Sequence, residues 1–136
     1  MITSQDIAAR VYSLLFASSV RNYLTGTIDY NRNDYTREDI VILPRTITGE
    51  GSVRYGQINV NIHVPDLNVA GKFKPNLARF AILTPLVIEA LKGHYETDKG
   101  YNWTIGFLDP PFKDTSLTTT NEHFACVKLK ITVRNN

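Results

Sequence analysis

The residues that could carry acid–base, nucleophilic or metal chemistry are few and scattered along the chain. His63, His94 and His123 form neither an H-x-H nor an H-x-x-x-H pair, so no spacing places two imidazoles on one metal ion. Cys126 is the single cysteine, and at the start of a strand we expect it to be a small buried residue rather than a nucleophile. The G-x-S-x-G, G-x-G-x-x-G and C-x-x-C motifs do not occur. These observations predict a protein that is not an enzyme and needs no metal or other cofactor.

The acidic residues and the glycine-rich turn do not supply this chemistry either. Glu38 and Asp39 are adjacent, so on a strand their side chains point to opposite faces and make a poor acid–base pair. Gly49 and Gly51 do not form a phosphate-binding loop, because no Lys-Ser/Thr pair and no helix follow them. Binding is therefore a better expectation for this chain than catalysis.

Basic side chains on predicted strands suggest contact with nucleic acid. Lys128 and Lys130 share one face of the last strand, and Arg45 and Arg54 flank a hairpin turn, so all four are candidate DNA-facing residues. Lysines on a solvent-facing strand also keep a sheet edge soluble, however, and no aromatic residues interleave them as a stacking platform. The net charge of +2, without a run of like charges, argues against a dedicated nucleic-acid or membrane-surface protein. Contact with DNA is therefore the second hypothesis.

Uncharged amides suggest a protein interface instead. Gln57, Asn59 and Asn61 occupy the polar side of a predicted strand, where Lys, Glu or Thr would serve solubility equally well. Amides can hydrogen-bond across an interface without the cost of burying a charge. Asn59 and Asn61 are therefore candidate interface residues of an assembly protein.

Two alternating segments predict the strands that would position these side chains. Apolar and polar residues alternate over 57–64 and again over 127–134, which is typical of strands with one face in a core and the other in water. On this basis Ile58, Val60, Ile62 and Val64 should be core residues. His63 should be solvated on the opposite face.

Other segments complete the predicted sheet. Ile40–Leu43 is apolar on both sides and predicts a central strand, and Trp103–Leu108 predicts a further one. Thr48–Ser52 is the turn of a long hairpin. The apolar phase changes at Gly56, which predicts a bulge there and an inward position for Tyr55.

Helices are predicted at two places in the chain. An amphipathic segment capped at Thr3 or Ser4 should form a helix that ends near Ala17, and a second helix should follow Asn76. Pro85 must either kink the second helix or begin a new one. The 136 residues, of 15.4 kDa, are expected to form a single α+β domain over positions 1–136. Its sheet should be mostly antiparallel and four-stranded, with a long hairpin, covered by two or three helices.

Targeting signals are not evident in the sequence. No apolar run of about 18 residues is present, so we expect no membrane span. The first residues lack the basic region and apolar stretch of a signal peptide. We expect a protein made and used inside a cell, or in a particle assembled there.

Three long polar stretches, Arg21–Arg37, Asp66–Pro75 and Asp109–Asn121, are predicted to be loops that contact a partner, with room for one short strand at Leu24–Ile28 and Tyr30 in the first. The candidate interface residues in these stretches are Tyr23, Tyr30, Tyr35, Lys72, Lys74 and Phe112. Tyrosines packed on the surface of their own domain are the alternative interpretation.

Part of the chain resembles known proteins. Glu38–Ile42, Ile47–Gly49 and Gly56–Asp66 resemble proteins encoded by phages and prophages of gut Bacteroides-type bacteria. The predicted order of helix, long loop, hairpin, helix and two strands is similar to the tail terminator, or tail completion, family of tailed phages. The resemblance implies a homo-oligomeric ring, commonly of six subunits, which caps the finished tail tube and joins it to the head. The neck and stopper proteins of phages are related alternatives.

The expected function is therefore that of a structural protein in the tail or neck of a virion, assembled in the cytoplasm of the host bacterium. Its partners would be further copies of itself, the tail tube and neck or connector proteins, with non-specific contact with the passing DNA. The alternative is a small non-enzymatic binding module, such as a nucleic-acid-binding or inhibitor domain.

Overall fold

The computed structural model describes the backbone of residues 2–32, 34–49, 51–117 and 120–135, and the side chains of these residues other than 109–117. The helices in this part of the chain are α1 (Ser4–Ala17), α2 (Val20–Tyr23) and α3 (Leu77–Leu91). The strands are β1 (Ile28–Asp29), β2 (Asp39–Thr48), β3 (Val53–Pro65), β4 (Leu67–Val69), β5 (Lys72–Lys74), β6 (Tyr95–Asp98), β7 (Tyr101–Leu117) and β8 (Glu122–Asn135).

Six of these strands form one curled sheet in the order β1-β2-β3-β8-β7-β6, and β4 and β5 form a separate pair. The prediction of an α+β domain with a mostly antiparallel four-stranded sheet is wrong, because β1 and β6 extend the sheet at its two edges and it curls into half a barrel. The sheet is mixed, since β1 pairs with β2 in parallel. The two edge strands have two and four residues, too few for an alternating pattern to be recognised.

All three of the predicted loops contain strands, and Arg21–Arg37 includes β1. Asp66–Pro75 includes β4 and β5, and most of Asp109–Asn121 belongs to β7, which pairs with β8 as far as Leu117. A register shift between Phe107 and Phe112 accommodates two consecutive prolines in β7. The long partner strand β8 thus decided the conformation of a segment whose own composition is typical of a loop.

The predicted phase of the β2–β3 hairpin is also wrong. The register shift lies on β2, between Pro44 and Ile47, and the alternation of β3 continues through Gly56. A Cβ at Gly56 would lie 2.7 Å from Cγ1 of Ile47, so the close approach of the irregular β2 requires glycine there. As a consequence Arg54 points towards the helices, whereas Tyr55 is exposed.

The helices cover one face of the sheet and build the core. α1 packs on β1–β3 and α3 on β3 and β8. The core prediction is confirmed, because Ile58, Val60, Ile62 and Val64 are all buried on this face.

Thr3 caps α1 by a capping box with Asp6, in which each side chain accepts from the other residue's backbone N–H. α3 runs through Pro85, so this proline does not begin a new helix. No helix in the described residues is long and apolar enough to cross a membrane.

Candidate interaction surface

The β4–β5 ribbon, residues 67–74, stands apart from the main sheet. Its register pairs Leu67 with Lys74, Asn68 with Phe73 and Val69 with Lys72. All six strand residues are exposed, and the three apolar ones retain 47–51% of their accessible surface. An isolated two-stranded hairpin is only marginally stable in water. The ribbon therefore presents apolar surface that its own domain leaves uncovered.

The two faces of the ribbon differ in chemistry. Because paired residues share a face, the side chains of Leu67 and Val69 lie with those of Lys72 and Lys74. The other face carries Phe73 and Asn68. Asn68 also accepts a hydrogen bond from the backbone N–H of Gly71 at 3.1 Å, which holds the turn. One face is thus apolar and basic, and the other aromatic and amide.

A groove runs along α3, the helix that follows the ribbon in the sequence. It has a volume of about 480 Å³ and is lined by Leu77, Phe80, Ala81, Thr84, Pro85, Ile88, Glu89 and Ala125. Leu83, Val87 and Leu91 of the same helix face the core and are fully buried. The helix carries only two charged residues, Arg79 and Glu89. A helix that is apolar around most of its circumference is normally buried, so the outer side of α3 is expected to be covered by a partner.

The loop before β2 is attached to the sheet by buried charges. Arg32, Asp39, Glu122 and His63 form what we call the Arg32 cluster. The guanidinium of Arg32 donates to Asp39 at 3.0 Å and to Glu122 at 2.7 Å, and the Nδ1 atom of His63 lies 2.9 Å from Glu122. Burial lowers the pKa of His63, although the Glu122 carboxylate acts in the opposite direction. The prediction that His63 is solvated is therefore wrong.

A second ion pair joins the same loop to α3. Arg79 donates to the carboxylate of Glu38 at 2.6 and 2.8 Å, and to the backbone carbonyl of Tyr23 at 2.6 Å. Two arginines thus position the loop through Glu38 and Asp39. These carboxylates point to opposite faces as predicted, and both have a structural role in the loop.

The three candidate tyrosines lie on the surface of this loop region. Tyr23, Tyr30 and Tyr35 are all exposed. Two of the rings also have a contact within the domain: Tyr30 stacks on Tyr12 with ring centroids 5.8 Å apart, and Arg32 lies 5.5 Å from the ring of Tyr35. Their exposure agrees with an interface position, and their packing agrees with the alternative, so their role stays a prediction.

The candidate amides are less accessible than expected. Asn59 and Asn61 lie on the sheet face opposite the helices, as predicted, but each is only 8% exposed. The reason is that β3 is a central strand with full-length neighbours on both sides, which flank Asn61 with Val41 and Cys126. Gln57 donates to the amide oxygen of Asn59 at 2.7 Å, whereas the buried amide oxygen of Asn61 has no partner among the described residues. The expectation of a solvated face is wrong.

The candidate DNA-facing residues do not form one surface. Arg45 and Lys130 are exposed and Lys128 is half-buried, all on the sheet face away from the helices. Arg54 is buried on the helix side, where it donates to the backbone carbonyl of Ile2 at 3.4 Å. The continuous phase of β3 therefore places Arg54 on the opposite sheet face from Lys128 and Lys130, and its DNA-facing role stays a prediction. The ammonium of Lys130 lies 5.6 Å from the ring of Tyr55, an aromatic neighbour that the sequence analysis did not assign to this face.

The remaining candidates separate in the same way. Lys72 and Lys74 belong to the ribbon rather than to a loop. The backbone of Phe112 pairs with Val127, and its side chain lies outside the described residues. Cys126 is buried, which raises the pKa of its thiol and agrees with the prediction of a structural rather than nucleophilic cysteine. Within the described residues no three His, Cys, Asp or Glu side chains gather as metal ligands, and metal independence stays a prediction.

Comparison of the chain with models of protein families and with curated proteins finds no match. The surfaces described above are therefore the basis for assigning a function.

The α3 groove and the Arg32 cluster were not predicted from the sequence. A signal for the groove was present, since the segment Leu77–Leu91 has apolar residues on more than one side of a helix. Arg32 gave no comparable signal, because it lies in a polar stretch and its partners are 7 and 90 residues away.

Proposed function

We propose that the protein is a non-enzymatic structural component of a phage particle. In this proposal it is a subunit of a ring, commonly of six copies, that caps the tail tube as a tail terminator or connects it to the head as a neck protein. The proposal rests on the resemblance of Glu38–Ile42, Ile47–Gly49 and Gly56–Asp66 and on the surfaces of the domain. Its partners would be further copies of the chain, the tail tube and neck proteins.

The observation that carries this proposal is the exposed β4–β5 ribbon. Leu67, Val69 and Phe73 are about half exposed on a hairpin that is separate from the main sheet. Burying such side chains in a contact is favourable by about 25 cal/mol per Å² of apolar surface. The ribbon is therefore better explained as part of an assembly interface than as a surface adapted to water.

Electron microscopy of tail tubes from the phage whose genome encodes the chain tests this function. Added protein should form a ring at one end of each tube, and portal and tail-tube genes should lie near its gene. The control variant is Tyr95→Ser, which alters an exposed aromatic residue in the edge strand β6 and should still form the ring. Tubes with bare ends and a genome without tail genes would contradict the proposal.

A second function, binding of nucleic acid, is favoured by one observation. Arg45, Lys128 and Lys130 share a sheet face, form no ion pair with the described side chains, and include the Lys130–Tyr55 contact. An oligonucleotide shift assay with the Lys128→Gln/Lys130→Gln variant tests it. Tight, salt-sensitive binding that this variant loses, combined with bare tubes, would favour a binding module over the ring.

A further inference from the structure

Two uncovered surfaces of the molecule complement each other. The groove along α3 is apolar along Phe80, Ala81, Pro85 and Ile88, and carries one acidic residue, Glu89. One ribbon face is apolar at Leu67 and Val69 and basic at Lys72 and Lys74. The two surfaces thus match in both polarity and charge.

The charges of both surfaces are available for such a contact. Among the side chains that the structure describes, Glu89, Lys72 and Lys74 form no ion pair. All three are exposed. A lysine can lay its aliphatic stem along apolar surface while its ammonium reaches a carboxylate, so a basic ribbon face can enter an apolar groove with an acid at its side.

We propose, as a refinement of the assembly function above, that the α3 groove of one copy receives the β4–β5 ribbon of a second copy. Leu67 and Val69 enter the groove between Phe80 and Ile88, and Lys72 or Lys74 pairs with Glu89. The contact covers the outer side of α3 and gives the isolated hairpin the support that its own domain does not provide.

The geometry of the chain makes the contact repeatable from copy to copy. The ribbon and the groove are different surfaces of each molecule. A copy that inserts its ribbon into one neighbour can therefore receive the ribbon of another neighbour in its own groove. A head-to-tail contact of this kind closes into a ring when the rotation between copies allows it. A lasting interface buries on the order of 800 Å² per partner, so the outer side of α3, including Leu77 and Ile82, should be covered as well.

Exchanging the charges tests the pairing. Self-association of the intact chain is measured by sedimentation over a concentration series, beside Glu89→Lys, Lys72→Glu/Lys74→Glu and the combination of the three. Each separate change should weaken association by about tenfold or more, because like charges then face each other. The combined variant should restore most of the loss. Phe73→Ser, on the other ribbon face, is the matched control and should stay close to the unaltered chain.

Cross-linking provides a second measurement that does not depend on strong association. In a Cys126→Ala background, one chain carries Val69→Cys and another Ile88→Cys. Mild oxidation of the mixture should yield a disulfide-linked dimer of the two, whereas a pair with Tyr95→Cys in place of Val69→Cys should not. A chain with both substitutions that forms only an internal disulfide would show that the ribbon occupies its own groove and would overturn the proposal.

The outcomes separate this pairing from the proposed function. Self-association that no charge change affects would overturn the ribbon–groove contact and leave the ring function standing. Restored association in the combined variant, together with bare tail tubes, would support the contact and contradict the tail function. Monomers at all concentrations without mixed cross-links would overturn the contact itself.

Discussion

In the middle of β3, over residues 58–62, the two faces differ in chemistry but hardly in exposure. Ile58, Val60 and Ile62 are 0–1% exposed beneath the helices, and Asn59 and Asn61, on the opposite face, are 8% exposed. The first face is buried by apolar packing of α1 and α3. The second has no helix on it and is enclosed by the side chains of β2 and β8 and, at one end, by the Arg32 cluster. Alternation therefore reports which residue types share a face, and not whether that face meets water.

The mechanisms of burial on the two faces should respond differently to substitution. Apolar packing tolerates no charge, because Val60 is fully buried in the hydrophobic core, where a charge is removed from water. The polar face already contains charges and hydrogen-bonding groups, and its weak point is the loss of a partner from the Arg32 cluster.

The largest effect is expected for Val60→Asp. It places an unpaired carboxylate in the apolar core and should lower the free energy of unfolding by about 4 kcal/mol. Asn59→Asp is the matched control, since it puts the same acid one residue away, opposite Lys128 and within reach of the Gln57 amide. It should change stability by no more than about 1 kcal/mol. Equal losses in urea melts would mean that the two faces are not distinct.

Arg32→Met should have the next largest effect. The substitution leaves the buried carboxylates of Asp39 and Glu122 without their shared guanidinium, at a cost of about 3 kcal/mol. Arg37→Met is the matched control, because Arg37 binds the same Asp39 but its side chain is 35% exposed. The Arg37→Met variant should lose clearly less free energy of unfolding in the same urea melts. Equal losses of stability for the two arginine variants would mean that backbone pairing alone holds the polar face.

The smallest effect concerns protonation of His63. Burial lowers its pKa below the ordinary value of 6.5, so the unfolded chain binds the proton more readily than the folded one. The stability contributed by neutral His63 is complete above about pH 6.5 and is lost as the pH falls towards the folded-state pKa. The charged groups around it are Glu122, Arg32 and Asp39.

The measurement is the free energy of unfolding at about pH 7.5 and about pH 5.5, beside the His63→Gln variant. The unaltered chain should lose more stability over this interval than the variant, which cannot gain a proton at position 63. An equal loss in both chains, or a greater loss in the variant, would show that the polar face is open enough to solvate the imidazolium.

Much of the fold could be predicted where a segment carries its own pattern. The capped helix after Thr3, the helix after Asn76 and the alternating strands β3 and β8 are all present, because their apolar periodicity and capping residues act locally. The prediction failed where a neighbour decides the outcome. β6 becomes a strand by pairing with β7, and the proline-containing part of β7 is extended by its pairing with β8.

The candidate site shows the same division at the level of single residues. Composition and spacing correctly placed Lys128 and Lys130 on one strand face, and the tyrosines of the long loop on the surface. They did not predict which sheet face carries Arg54. That face depends on whether the extra residue of the bulge lies on β2 or on β3. They also did not find the ribbon, since its six strand residues lack a continuous alternating pattern.

The sequence by itself determined which side chains share a face within the alternating segments 57–64 and 127–134, where α1 and α3 begin, and which face of β3 enters the core. These properties follow from the two-residue repeat of a strand and from capping, and both act over a few residues. Only the tertiary structure decided that the polar face is buried in the middle of β3 and that Arg32 bridges Asp39 and Glu122. It also decided that the outer side of α3 and the β4–β5 ribbon are both left uncovered. Those features depend on which strands become neighbours and on how far each helix covers the sheet, which are contacts between distant parts of the chain.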